Sequence, residues 1–166
     1  MSWSTNAIPS QAGRTVLITG ANSGIGFETA KALLKRGASV ILGCRSIHNA
    51  EKAQQELRKI TNYGNIDLLE IDLSDLEKVE IAGEQILGNY QNLGILFNNA
   101  GVMAPPKTLS KQGFEIQLAV NHLSHMALTL KLLPLMSKQK GGRIVTVSSG
   151  AQYLGKINWN DLHGEK

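Results

Sequence analysis

Short β-branched apolar runs alternate along the chain with longer amphipathic stretches, and no other feature narrows the possible folds as much. The pattern is that of parallel strands linked by crossover helices. Strands are predicted at 14–20, 38–44, 65–72, 93–99 and 142–149. A helix over 24–36 closes on Gly37 as its C-terminal cap, and Ser46 caps a second helix running to about 61. Ser74 and Glu77 have the spacing of a capping box for a third, and a long helix is expected over 112–133. Five nearly continuous apolar strands require cover on both faces, so the expected class is α/β, a doubly wound Rossmann-type parallel sheet between two helix layers.

Composition agrees with one soluble globular domain over 1–166. The chain is 42% hydrophobic and 18% charged, with no apolar run of 18 residues and neither repeat nor low-complexity linker. These features exclude disorder, a collagen, a coiled coil and a membrane-spanning helix. One cysteine, Cys44, allows no intrachain disulfide, and the first residues lack a secretory pattern, so a reducing, cytoplasmic setting is expected. The net charge of +4 is spread along the chain rather than gathered in one run, and argues for neither nucleic acid nor membrane as partner.

The segment Thr19-Gly20-Ala21-Asn22-Ser23-Gly24-Ile25-Gly26 lies between the first strand and the first helix. There the backbone must turn sharply and leave amides facing an anion. Gly20 is read as the residue with unusual dihedrals, Gly24 as the point where a pyrophosphate comes close, and Gly26 as a tight helix-to-strand contact. The spacing is G-x-x-x-G-x-G, and glycines alone suit an ordinary turn equally well. The flanking strand, helix and second strand favour a dinucleotide, held by Gly20, Asn22, Ser23, Gly24, Ile25 and Gly26. An acid that would hold a ribose 2'-hydroxyl is expected at the end of the second strand. That place carries Cys44 and Arg45, and a guanidinium pairs with a 2'-phosphate that a carboxylate would repel. NADP(H) is therefore favoured over NAD(H), against the plainer reading of Arg45 as a solvated surface residue.

With TGANSGIG at 19–26, NNAG at 98–101, Asn121 within Val-Asn-His-Leu-Ser-His, and Val-Ser-Ser at 147–149, the chain resembles the classical short-chain dehydrogenase/reductases. The stretches AKALLKRGASVILGCRS, NNAGVMAPP and GKINWNDLHGEK look most like the retinol-dehydrogenase-like branch. The resemblance implies a seven-stranded doubly wound sheet and hydride transfer between a nicotinamide and an alcohol or carbonyl carbon. It also implies a Tyr-x-x-x-Lys pair as acid–base catalyst, a serine on the substrate oxygen, and an asparagine steadying the lysine. Carried over, the serine is Ser149 and the asparagine Asn121. Asp72 would meet the adenine, and Leu73, Asn98, Ala100 and Gly101 would line the cofactor. Ser149 falls at the carboxyl end of the fifth strand, on the rim where ligands bind, whereas Ser148 points the other way.

No Tyr-x-x-x-Lys occurs in the chain: Tyr153 is followed four residues later by Ile157, and stands too close after Ser149 for a helix to begin. About five of the family's seven strands are accounted for, so the sequence reads as a C-terminally incomplete piece of a longer enzyme. It would be a truncated product, an isoform or a partial sequence, with 144–147 as a bare apolar edge. Three readings follow: an NADP-dependent oxidoreductase acting, when complete, on an apolar alcohol or carbonyl; a non-catalytic nucleotide-binding or regulatory module; or a remnant that does not fold. His122 and His125, three apart on a helix, lack a nearby acid or cysteine to complete a metal site, so no metal is expected. His48 and His163 read as solvated. Leu128, Leu130, Leu132, Leu133, Leu135 and Met136 read as core or subunit interface, and the family's dimers make a homo-oligomer an expectation by resemblance.

Overall fold

The computed structural model describes residues 4–153 and 155–163; the last three residues of the GKINWNDLHGEK stretch, Gly164, Glu165 and Lys166, lie outside them. Five strands, β1 (Thr15–Thr19), β2 (Ser39–Cys44), β3 (Ile66–Glu70), β4 (Ile95–Asn98) and β5 (Arg143–Thr146), form one parallel sheet in the order β3-β2-β1-β4-β5. Each falls inside its predicted span. β1 is central, pairing Ile18 with Leu42 of β2 on one side and with Phe97 of β4 on the other.

Alternation along the strands builds two cores. Val16, Ile18, Val40, Leu42 and Ile95 face one way, against α1 (Gly24–Leu34) and α2 (Ile47–Ile60). Leu17, Ile41 and Leu96 face the other, against α3 (Leu76–Asn89) and α5 (Ser124–Met136). Because both faces are covered, the central strands carry apolar residues at successive positions, which is why they read as continuous runs. Gly37 takes φ +88° just past α1, and the Ser46 hydroxyl accepts from the Asn49 amide, as expected of the two caps.

Two local expectations are corrected. Ser74 and Glu77 form no capping box: Asp75 caps α3, accepting from the Glu77 amide, while Ser74 donates its hydroxyl to Asp72 and Glu77 turns out to Lys111. A carboxylate at 75 competes better for the free amide than a hydroxyl already committed to Asp72. The long helix over 112–133 is also not one α-helix from 112. Glu115 caps a short α4 (Ile116–Leu118), a π-helical turn spans Ala119–Leu123, and α5 then runs to Met136. Apolar periodicity alone does not distinguish a π-turn inserted within it.

β5 is the last strand in the order and pairs only with β4. Ile144 and Val147 are exposed, while Val145 packs partly on the α1/α2 core. The apolar end of α5 divides by face: Leu128, Leu132, Leu135 and Met136 are buried, whereas Leu130 and Leu133 are 58% and 47% exposed. Arg14 and Arg143 start strands, and Lys35, Arg36, Arg58 and Lys59 end helices, at the sheet edge opposite the strand C-termini. Cations at helix C-termini compensate the helix dipoles.

Leu128 fills the α5 face of the sheet with no exposure. Leu128→Ala is expected to cost about 2–5 kcal/mol in denaturant unfolding, and Leu130→Ala less than about 0.5 kcal/mol.

Candidate functional site

The chain leaves β1 toward α1 on one face and reaches β4 from α3 on the other, so the carboxyl ends of β1 and β4 part and open a crevice, the usual ligand position in such sheets. At its floor the Gly20 amide still donates to Gly43 O of β2 at 2.7 Å. The backbone then turns at Gly20 with φ +67°, so close to the loop after β4 that a Cβ would lie 2.9 Å from Ala100 Cα. Gly26 is under tighter constraint: a Cβ would lie 2.6 Å from Asn99 Nδ2 and closer still to Gly20 O. A side chain at Gly20 would push away the loop after β4, and one at Gly26 would push α1 off the glycine turn.

This packing places the first turn of α1 at the crevice mouth. Ser23 is the N-cap residue, but its side chain accepts no cap bond, and among the described residues the Gly24, Ile25 and Gly26 amides have no hydrogen-bond partner. Gly24 has φ +55° and open space where a Cβ would be. Three free amides at the positive end of an eleven-residue helix form an anion-binding concavity. This geometry fits the diphosphate of a dinucleotide.

Beside the turn lies a cleft of about 230 Å³ whose lining includes Gly20, Asn22, Gly43, Arg45, Asp72, Leu73, Ala100 and Gly101. Seven of the twelve residues assigned to the cofactor from sequence thus line one cleft, together with Gly43. Ser23, Gly24 and Ile25 line, with Asn22, an adjoining apolar hollow of about 1160 Å³ between α1 and α2. That hollow is larger and carries two of the free amides, those of Gly24 and Ile25, whereas Arg45 and Asp72 line the smaller cleft; the turn at Asn22 borders both. Asp72 accepts from the Ser74 amide and hydroxyl through Oδ1, which fixes the loop after β3, and Leu73 O accepts from the buried Ser124 hydroxyl at 2.6 Å. Cys44 is 2% exposed beneath the turn, against the Ala21 and Asn22 backbone; burial pushes its thiol up to about 11, so it stays neutral. Arg45 is exposed at the cleft and makes no ion pair among the described residues.

Asn98, the last residue of β4, is 5% exposed, directs its amide to Thr129 Oγ1 on α5 and accepts from the Val147 amide through its carbonyl; it does not line the cleft. Asn121 lies in the π-helical turn, and its side chain both accepts from the Val102 amide at 2.8 Å and donates to Val102 O at 2.9 Å. It is a clamp on the loop that carries Ala100 and Gly101. Ser149 follows β5 and is exposed; its hydroxyl accepts from the Ala151 amide, and no hydrogen bond joins it to Asn121. Ser148 is also exposed and donates to Gln152. Tyr153 ends a 3-10 turn and is 86% exposed.

Three residues without an assigned role from sequence join the two sides of the crevice. The Thr19 hydroxyl accepts from the Asn99 and Ala100 amides at 2.9 and 3.0 Å, Asn99 Nδ2 donates to Thr19 O, and buried His125 meets Thr19 at 2.9 Å. Thr19 and Asn99 stand inside the TGANSGIG and NNAG motifs, but their partners lie about 80 residues away in sequence. His125 is thus occupied by a hydroxyl rather than exposed on the helix. His163 is not solvated as expected: it accepts from the Glu115 amide and stacks on Phe114.

Residues 14–160 match the family described as short chain dehydrogenase. The chain belongs to the short-chain dehydrogenase family. Retinol dehydrogenase 12 of Bos taurus is 44% identical over 154 residues, covering 93% of this chain and 49% of that protein. Retinol dehydrogenase 11 of Homo sapiens is 42% identical over 154 residues, covering 93% and 48%. The chain therefore spans about half the length of the curated relatives it matches. Among solved structures, an uncharacterized protein from Mycobacterium paratuberculosis superposes with a TM-score of 0.86 at 42% identity, covering 99% of this chain and 57% of that one. The Pseudomonas aeruginosa RhlG/NADP active-site complex gives 0.75 at 27% identity, covering 93% and 62%. Both agree with the doubly wound reading of the sheet.

In this member of the short-chain dehydrogenases, Thr19 is the polar junction of the site. Thr19→Val strands two amides, at about 1–3 kcal/mol each in unfolding free energy, while Thr19→Ser is expected to retain most of the stability.

Proposed function

We propose that this chain binds NADP(H) in the cleft beside the glycine turn, and that the protein it represents is an oxidoreductase interconverting an apolar, retinoid-like alcohol and its carbonyl. The cofactor, when bound, supplies or accepts the hydride. The single observation that carries its identity is Arg45: a guanidinium at the cleft in no ion pair among the described residues, next to a thiol that stays neutral, where a carboxylate would have selected a free 2'-hydroxyl. The Gly24, Ile25 and Gly26 amides hold the diphosphate, and the fixed loop at Asp72 and Leu73 flanks the adenine. Ala100 and Gly101 offer backbone to the nicotinamide half, and Asn98 supports them from the end of β4. Asn121 acts through Val102 as a positioning residue, and Ser149 donates its hydroxyl proton toward the substrate oxygen. The retinoid-like substrate is supported by relatives that are named retinol dehydrogenases.

A second reading has support from the sequence itself. With no Tyr-x-x-x-Lys among its 166 residues, the chain lacks a positioned general acid worth roughly 10²–10⁴-fold in rate. As it stands it would bind nucleotide without turning it over. Two further features belong to the proposal. Met126, Leu130 and Leu133 form an exposed i, i+4, i+7 stripe on α5 suited to a second subunit. The free, buried Cys44 suits a reducing compartment such as the cytoplasm. Among the described residues no helix is long and apolar enough to cross a membrane, and no group of His, Cys, Asp or Glu is arranged to hold a metal.

Calorimetry with the four nicotinamide nucleotides tests the cofactor. The phosphorylated pair is expected to bind at least about tenfold tighter, and Arg45→Ala to weaken NADPH by about 1.5–3 kcal/mol, roughly 10–100-fold, while sparing NADH. Equal binding of both pairs, or no effect of Arg45→Ala, would remove the NADP assignment. NADPH oxidation with apolar aldehydes is expected to stay below about a tenth of the rate of a full-length retinol dehydrogenase relative; a comparable rate excludes the module reading.

A further inference from the structure

Four groups crowd the Thr19 hydroxyl: the amides of Asn99 and Ala100, Phe97 O at 3.3 Å, and His125 Nε2 at 2.9 Å. A hydroxyl offers two lone pairs and one proton. The amides can only donate, so they take both lone pairs, and the proton must go to Phe97 O or to His125. Directed at Phe97 O, it would leave a lone pair of Thr19 facing the ring nitrogen's own. Directed at Nε2, it makes the shorter bond and leaves both lone pairs to the amides.

The other side of the ring fixes its proton independently. His125 Nδ1 lies 3.3 Å from Asn121 O, a carbonyl that can only accept. Nδ1 therefore carries the hydrogen and Nε2 is the bare acceptor that Thr19 requires. His125 is 4% exposed, and burial depresses its pKa, which favours the neutral ring. The π-helical turn just before α5 holds the Asn121 carbonyl, while the Asn121 side chain grips Val102.

We propose that His125 is a positioning residue for the cofactor cleft: neutral, with its proton on Nδ1, it orients the Thr19 hydroxyl and so pins the Asn99–Ala100 loop to the glycine turn. The two walls of the cleft, Gly20 on one side and Ala100 with Gly101 on the other, are thereby held at a fixed separation by one side chain from α5. The pinning concerns this chain alone; its effect on nucleotide affinity rests on the cofactor reading given above.

The experiment joins nitrogen-15 NMR of the His125 ring, hydrogen exchange at the Asn99 and Ala100 amides, and NADPH titration, for the wild type, H125Q and H125N. A glutamine oxygen reaches where Nε2 lies and still accepts from Thr19; an asparagine amide reaches only the place of Nδ1. The wild-type ring is expected as the neutral Nδ1-H tautomer. H125N is expected to exchange Asn99 and Ala100 at least about tenfold faster with β2 and β3 unchanged, and H125Q to stay within about threefold of wild type. NADPH affinity is expected to fall about tenfold in H125N and to return in H125Q. A ring protonated on Nε2, or equal exchange in the two variants, overturns the proposal. Should H125N not fold, the wild-type tautomer and protection in H125Q decide it. Should the wild type ignore NADPH, the cofactor reading fails, while the tautomer and exchange still decide the pinning.

Discussion

Everything at the functional end of the sheet depends on how closely α1 begins against β1. Gly26 lies so near Gly20 O and the Asn99 side chain that a single methyl group would part them. That approach aligns the helix axis on the crevice, leaves the Gly24, Ile25 and Gly26 amides unpaired and outward, and brings the turn within reach of the loop after β4. An anion site built from backbone in this way needs no charged side chain at its centre. The cation present, Arg45, lines the neighbouring cleft and makes no ion pair among the described residues.

The crevice would gape if its two sides were not tied together. Thr19, the last residue of β1, binds the loop after β4 through its hydroxyl, and Asn99 returns the bond to Thr19 O. From behind, the π-helical turn grips that loop through Asn121 on Val102, while α5 holds the end of β4 through Thr129 on Asn98 and the loop after β3 through Ser124 on Leu73. These polar ties cross between the edge of the sheet and a helix whose own packing is otherwise apolar, through Leu128, Leu132 and Leu135. Rigidity of the cleft and stability of the α3/α5 layer are therefore the same property.

The elements were largely legible in the sequence because their signals are local. A buried parallel strand reads as an apolar run, Gly37 and Ser46 mark helix ends through their own conformations, and Gly20 and Gly26 stand at a strand-to-helix junction where only close approach explains them. Departures arose where two local groups compete or where a partner is distant. Asp75 displaced Ser74 as a cap because Asp72 had already engaged the serine. The π-turn at Ala119–Leu123 leaves no mark in apolar spacing, and His163 found Phe114 and Glu115 from nearly fifty residues away.

By itself the sequence determined the alternation of strands and helices, the glycine turn, the absence of an acid where Cys44 and Arg45 close β2, and membership in a family that reads those motifs together. Hydrophobic period and backbone conformation act over a few residues, so they are written in order along the chain. Only the tertiary structure decided that Thr19 is the junction, that His125 faces it, that Asn98 turns its side chain away from the cleft while Asn121 clamps Val102, and that scattered cations share one edge. Hydrogen bonds and charge fields act between neighbours in space, and parallel crossovers make neighbours of residues a hundred positions apart.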